Sequence, residues 1–401
     1  MAVITPLIWG WGVGDALTDP LMWGWEAGTP PSQSEYPSEP EVALTPAEIA
    51  ALVTAGILEV GYGARLIGAY GQPLEDITAD LVGGEIEHHN YADIHGTCRI
   101  SLSRELAWLT DRVLVYQTLT SSDYTLTQNL SVYTLTTPEM QIGERPTTYD
   151  VLGYDKLQLF AKPVGDTYVV SAGTGYLEAV YAVFAAAGLG SAGTINIDSS
   201  AVDKTLSEPM VWGLDPASPT TYLTIVNDLL EQIGYRGLWC DGTGAYRSEP
   251  YQSPAERAPS WTLDTSDQQT CIVGESRSLT MDVAEPTNWW RFIRANHPTQ
   301  PVEDDGLYTV DLSGEGAKYK RVVSIDAVDQ TTLEALGDAI VQSDRQTART
   351  ITCATGPGLP LGHFDVLRFV DPEGQLNVKT VVQSWSIPLD GGDISLTLEV
   401  V

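Results

Sequence analysis

Residues 393 to 400, Asp-Ile-Ser-Leu-Thr-Leu-Glu-Val, alternate without a break. Ile394, Leu396, Leu398 and Val400 fall on one side of an extended chain, with Asp393, Ser395, Thr397 and Glu399 on the other. A period of two places successive side chains on opposite faces, so this run is a β-strand with one face buried and one wet. Wound into a helix, the same apolar residues would be spread around its circumference. The strand must lie in a sheet, and the long run through Trp385, closed by the Gly391-Gly392 turn, supplies a neighbour.

The same texture begins near residue 74. The stretches 84–106 (GEIEHHNYADIHGTCRISLSREL), 111–119 (DRVLVYQTL) and 150–160 (DVLGYDKLQLF) alternate or carry β-branched and aromatic residues between turn signals. With 37 glycines and 24 prolines, turns are frequent, which favours short strands over long helices. The Thr-rich stretch 121–148 reads as a long hairpin or an inserted loop. The middle is mixed. Leu177, Val180, Tyr181 and Phe184 follow the spacing of an amphipathic helix closed by Gly188. A second helix starts at Ser218-Pro219, carries Tyr222, Val226, Leu229, Leu230 and Ile233, and ends at Gly234. A hairpin follows around Asp241-Gly242-Thr243-Gly244. Further on, Thr331-Thr332-Leu333-Glu334 reads as a capping box for a helix presenting Leu333, Leu336 and Ile340. Asp371-Pro372-Glu373-Gly374 reads as a type I turn.

The expected fold class is therefore mainly β with α+β insertions. The expected division is an N-terminal arm, linker and short helix over 1–74, a first β-barrel-like module over 75–165, an α+β middle domain over 166–260 and a second barrel-like module over 261–401.

The arm holds an internal repeat: Pro6-Leu7-Ile8-Trp9-Gly10-Trp11 returns as Pro20-Leu21-Met22-Trp23-Gly24-Trp25. Trp9, Trp11, Trp23 and Trp25 have little local chain to bury them. They either dock on a neighbouring protein or fold back on their own subunit. A Pro-, Ser- and Glu-rich linker spans 29–43, and Thr45-Pro46-Ala47-Glu48 opens a short helix ending at Gly56.

The formal net charge of −32 argues against gripping DNA or an anionic membrane, because phosphates need Lys and Arg. The charge serves solubility, or lets a polyanion pass without sticking. Cys98, Cys240, Cys271 and Cys353 are scattered without CxxC spacing and read as reduced thiols. Neither a signal-peptide pattern nor a run of 18 apolar residues appears, so neither secretion by a leader nor membrane insertion is expected.

Candidate chemistry is sparse. His88, His89, Asp93 and His95 lie close in sequence, but 88 differs in parity from the others and no fourth ligand is marked. They read as surface or strand-edge residues, so no metal is expected. The Gly-x-Gly between strand and helix at 169–180 lacks the third glycine of a dinucleotide fingerprint and reads as helix capping. Neither a Gly-x-Ser-x-Gly elbow nor a cysteine–histidine arrangement is present. His363 and Asp365, two apart before an extended run, could be an acid–base pair or a structural edge; Asp365 fits better as a residue closing a turn through backbone N–H groups. No enzyme activity and no cofactor are expected.

The order of elements resembles the phage tail hub family, which includes the trimeric baseplate hub of contractile tails and the N-terminal part of siphophage tail-associated proteins. The resemblance is carried by the helix at Thr331 to Asp344, Gly362 with Asp365-Val366, the strand NVKTVVQSWSIPL, and Gly391-Gly392 with DISLTLEV. His363 and Phe364 stand between a Gly and an Asp that the family usually has adjacent. The helix ending at Gly234, its hairpin, and the strands near 84–106 agree as well, so the resemblance covers about 75–401. It implies a homotrimer with two barrel-like domains per chain, forming a pseudo-sixfold face for the tail tube or distal ring and a threefold face for tip or fibre proteins. The tape-measure protein would be a further partner, DNA would pass through the lumen without specific binding, and the location would be the virion's tail tip. Two other readings remain: a hexameric distal tail ring, and a carbohydrate-binding or hydrolytic tip protein.

Overall fold

The computed structural model describes residues 59–401 apart from 69–71, 109, 122–124, 144–146, 190–194, 268–272, 282–286, 296, 298, 315, 346–348 and 360. The arm with Trp9, Trp11, Trp23 and Trp25, the linker, the short helix near 45–56 and Cys271 lie outside the described residues.

The chain is mainly β, as its alternation predicts. Its first strands are β1 (Glu59–Ile67), β2 (Pro73–Asp76), β3 (Leu81–His89), β4 (Gly96–Leu102), β5 (Arg112–Thr120), β6 (Thr125–Gln141) and β7 (Thr148–Asp155). They pair antiparallel in the order β2-β1-β5-β6-β7-β4-β3. The Thr-rich stretch is no insertion. Its β-branched residues suit the pleat, and β6 runs for 17 residues between β5 and β7. Its register with β7 slips between Thr136 and Glu139, where Thr137 takes φ 49.

An α+β unit follows, with β8 (Tyr168–Val170), α1 (Tyr176–Ala186), β9 (Ile195–Ile197), β10 (Met210–Trp212), α2 (Tyr222–Gln232), β11 (Trp239–Cys240) and β12 (Tyr246–Ser248). Helix α2 is capped by Thr221, whose hydroxyl accepts from Thr224 N, and it gives way at Gly234 with φ +77. The buried face of α1 is Leu177, Val180, Val183 and Phe184; Tyr181, expected inside, is 44% exposed. Phe160, Phe184 and Tyr246 pack edge-to-face at its centre.

Next come β13 (Trp261–Asp264), β14 (Val273–Met281), β15 (Trp289–Arg294), β16 (Val302–Glu303), β17 (Gly306–Asp311), β18 (Lys320–Ile325), α3 (Gln330–Arg345), β19 (Arg349–Thr355), β20 (Val366–Asp371), β21 (Leu376–Pro388) and β22 (Ile394–Val400). Strands β14 and β19 pair antiparallel, and the elements between them form an insertion with its own sheet, β16-β17-β15-β18, and its own core around Trp290, Phe292 and Leu333. Sequence reading did not separate this unit. It also placed the cap of α3 on the Thr331 box, whereas Asp329 Oδ1 accepts from Thr332 N at 2.7 Å.

No closed barrel is found among the described strands. The strands of the two stretches read as barrel-like modules instead share one 13-stranded sheet, β14-β19-β22-β21-β3-β4-β7-β6-β5-β1-β2, with β13 and β20 branching from β21. The reason is the length of β21. Leu376 to Val381 pair with β20, while Ser384 to Pro388 outrun it and pair with β3. Since β22 covers the other edge over 380–386, β20 and β3 follow one another along the same edge. One apolar cluster runs across the join, including Ile86, Ile100, Trp385, Ile387, Leu396 and Leu398.

A second tie crosses the C-terminal strands. Arg277 on β14 donates from Nε and Nη2 to Asp371 at 2.6 and 2.9 Å, and from Nη2 to Glu373 at 2.9 Å. The guanidinium holds the Asp371 carboxyl down to about 2. A depressed carboxylate pKa contributes stability that is present above the unfolded value near 3.8 and lost as pH falls through about 2. Arg277→Ala is therefore expected to lower the melting temperature near neutral pH, with the gap from wild type closing toward pH 2. Parallel thermal melts across that range check it, and a gap that stays constant refutes it.

Candidate functional site

The gap between β20 and β3 along β21 is where chemistry-bearing side chains gather. Asp365 O accepts from Val382 N at 2.9 Å, Asn90 N donates to Gln383 O at 2.9 Å, and Asn90 Nδ2 donates to Val382 O. Two turns thus supply the hydrogen bonds that neither strand reaches. The first turn, 90–95, is closed by His89 N donating to His95 O. In the second, Asp365 Oδ2 accepts from Gly362 N at 2.6 Å, as expected of a turn-closing aspartate. Phe364 sits at φ +54, so His363 and Asp365 lie in a tight turn, and the strand begins only at Val366.

These turns bring together three of the chain's five histidines. His88 lies opposite Trp385 in the β3–β21 register, and the two rings stack at 5.3 Å. His363 meets His88 edge-on at 5.4 Å, His95 at 4.6 Å and Phe364 edge-on at 4.5 Å, and Trp239 of β11 stacks on it at 4.7 Å. His88 Nε2 lies 3.0 Å from Asn90 Oδ1 and 3.2 Å from His363 Nδ1. The three rings keep only partial contact with solvent. Burial pushes His88 down to about 4 and His95 to about 3, and carries His363 well below its ordinary range; the neighbouring imidazoles add to each shift. His89 points outward and is exposed.

Sequence reading placed His88 and His95 at the surface or a strand edge, and His363 at a structural rim. The structure puts all three inside a junction of β3, β21 and the α+β unit. A signal was available: His363 and Phe364 are the two residues that break the Gly-Asp pattern, and the turn at Phe364 carries His363 inward. What no local signal gives is the approach of residue 363 to residue 88.

The arrangement offers little to a reaction. Among the described residues, no hydrogen bond joins Asp365 to His363, so the two form no acid–base dyad. Imidazoles this hard to protonate are poor bases at neutral pH. Among the described residues, no group of three His, Cys, Asp or Glu is placed to hold a metal ion. At the Gly-x-Gly, Tyr176 N donates to Lys204 O and Gly173 N to Leu206 O, so the start of α1 is occupied by the chain's own carbonyls. Cys98 and Cys353 are buried and Cys240 is half-buried, all as free thiols. A cavity of about 350 Å³ beside Trp239 is lined by Asp198, Arg247 and Glu249, and one of about 400 Å³ opens between α2 and α3. No helix among the described residues is long and apolar enough to cross a membrane.

No family model matches the chain, and no curated protein matches it. Solved structures do. The tail protein from Neisseria meningitidis MC58 is similar over 84% of this chain and 96% of its own, with 11% identity and a TM-score of 0.58. The 43 kDa tail protein of prophage MuSo2 from Shewanella oneidensis is similar over 86% and 98%, with 11% identity and a TM-score of 0.57. A chain of the half-lidded Francisella PdpA–VgrG complex is similar over 86% of this chain but 58% of its own, with 9% identity and a TM-score of 0.51. The chain is thus built on the fold of these tail proteins, a fold also present in the VgrG complex.

Proposed function

We propose that the chain is a structural component of a phage tail tip, a trimeric hub joining the sixfold tube or distal ring to threefold tip or fibre proteins. The observation that carries this reading is the extent of the fold likeness: it takes in nearly the whole of two tail proteins and all but about a sixth of this chain. Three copies would offer six sets of strands, two from each subunit, to a sixfold neighbour. The reading includes no catalysis. The charge of −32 suits a lumen through which DNA leaves without sticking. In this reading the partners are the tube or ring, the tape-measure protein and the downstream tip proteins, and the location is the virion tail tip. The repeat at Trp9, Trp11, Trp23 and Trp25 acts as a clasp on one of these neighbours.

The test is the symmetry of the assembled particle. Class averages of the purified protein, or of tails containing it, should show three copies; six would make it a distal ring instead. Tails assembled with a chain lacking residues 1–28 should lose tip proteins. Unchanged tips would remove the clasp from the proposal and leave the hub standing.

A further inference from the structure

We propose that His88, His95 and His363 form an acid-released latch, which while neutral holds the two halves of the large sheet and the α+β unit together and on taking up a proton opens the gap between β20 and β3. The argument rests on where the rings sit and on the hydrogens they carry.

Position comes first. The N-terminal strands join the C-terminal strands through the pairing of β3 with β21, and the cluster stands at the end of that pairing, on His88 itself. His363 comes from the turn before β20, and Trp239, stacked on it, comes from the α+β unit. Three parts of the protein therefore meet at one ring.

The hydrogens come next. Asn90 commits its amide N–H to the Val382 carbonyl, so its Oδ1 faces His88 and requires the hydrogen on His88 Nε2. His363 Nδ1, 3.2 Å from that nitrogen, is then the bare acceptor. A proton added there would set N–H against N–H, and the rings would have to part. His95 Nδ1 is buried without a partner, so a proton gained on that atom finds no acceptor either.

The surroundings make matters worse for a cation. Arg236 and Arg257 both raise the local positive potential at His363. Arg236 lies over the Phe364 ring at 5.0 Å, and Arg257 donates to Phe364 O. From β3, His89 acts on both His88 and His95. The nearby carboxylates are engaged elsewhere: Asp155 accepts from Gly96 N and Leu157 N, Asp365 from Gly362 N, and Glu399 from the Tyr91 phenol, with Tyr251 beside it. None forms an ion pair with an imidazole among the described residues.

The sign follows from linkage. Histidines whose folded pKa is depressed leave the folded state with fewer protons than the unfolded one, so stability is full above about 6.5 and is lost as pH falls toward about 4. Asp155, raised to about 6 mainly by burial, and Asp365, also raised, work the other way and partly offset it. Three imidazoles against two carboxyls leave a net loss on acidification.

Hydrogen exchange on the full-length assembly tests the latch. Between about pH 7 and about pH 5, after correction for intrinsic rates, amides of β3 and of residues 382–388 should lose at least about tenfold in protection, the equivalent of one pKa unit. Those of β5 and β6 should hold. In His363→Gln the loss should shrink, because an amide takes up no proton in this range. Equal losses throughout the sheet, no loss at the junction, or the same loss in the variant would each overturn the proposal. Should the variant fold poorly, imidazole carbon resonances of the wild-type protein decide: neutral rings persisting at about pH 5.5 support the latch, and charged rings in an intact junction refute it.

Discussion

Gly84→Ala should destabilise the protein by about 3 kcal/mol, while Gly83→Ala next door should change stability by no more than about 0.5 kcal/mol. Gly84 lies in β3 at φ +144, a conformation that side chains rarely adopt. A Cβ there would stand 2.3 Å from Arg99 O and 2.8 Å from Ile100 Cα, which are backbone atoms of β4 and cannot swing aside. The Gly84 carbonyl also accepts from Leu389 N at the far end of β21, so any shift in β3 is passed on to the join between the sheet halves. Gly83 has nothing within 4 Å of its Cβ position and no positive φ. Both substitutions remove the same glycine entropy from the unfolded chain, which cancels in the comparison. Urea midpoints for the pair give the answer, and equal midpoints would mean that the close approach to β4 carries no weight.

The second large effect is local. Trp290→Ala should cost about 4 kcal/mol within the inserted unit of β15–β18 and α3 while leaving the 13-stranded sheet folded. Trp290 is fully buried and is the largest side chain in that core. Its Nε1 donates to Asp344 Oδ2 at 2.7 Å, and Asp344 also accepts from Arg321. Truncation leaves a cavity and an aspartate short of one donor. Trp290→Phe, which keeps most of the ring and loses the N–H, should cost about 1–2 kcal/mol. Exchange protection should fall in α3 and β15 yet persist in β14 and β19, which pair with each other independently of what lies between them. Simultaneous loss of protection in β14 and β19 would show that the insertion is no separate cooperative unit.

Local signals in the sequence were dependable, and distant ones were absent. Ile394, Leu396 and Leu398 announce a one-sided strand and are buried. Asp241 announces a turn, and its carboxylate accepts from Thr243 N and Ala245 N. The C-terminal end of α2 is legible because Gly234 has a short-range reason to be there; its start was placed at Ser218-Pro219, whereas the hydroxyl of Thr221 caps it by accepting from Thr224 N. Tyr181 was misjudged because its spacing fits either flank of the apolar stripe, and burial is decided by what packs against the helix. The cap of α3 went to Thr331 in place of Asp329 because both residue types can cap, and which does so depends on where the chain enters from β18. The joining of two expected modules into one sheet depends on β21 being longer than β20, a difference that appears only when the partners are known. The histidine junction was half legible: the cluster at 88–95 was visible, and its third member was not.

Ser386 on β21 and Glu85 on β3 bond to each other across 301 positions of sequence. During synthesis, β3 leaves the ribosome with its backbone edge bare and stays so until about 300 further residues have been made. An open edge is an invitation to the wrong neighbour, above all to a second nascent copy on the same message. Glu85 and Glu87 are both exposed on that edge, each carrying a negative charge that makes a like strand unwelcome. These two carboxylates thus gain a task at birth: keeping β3 unattached until β21 arrives.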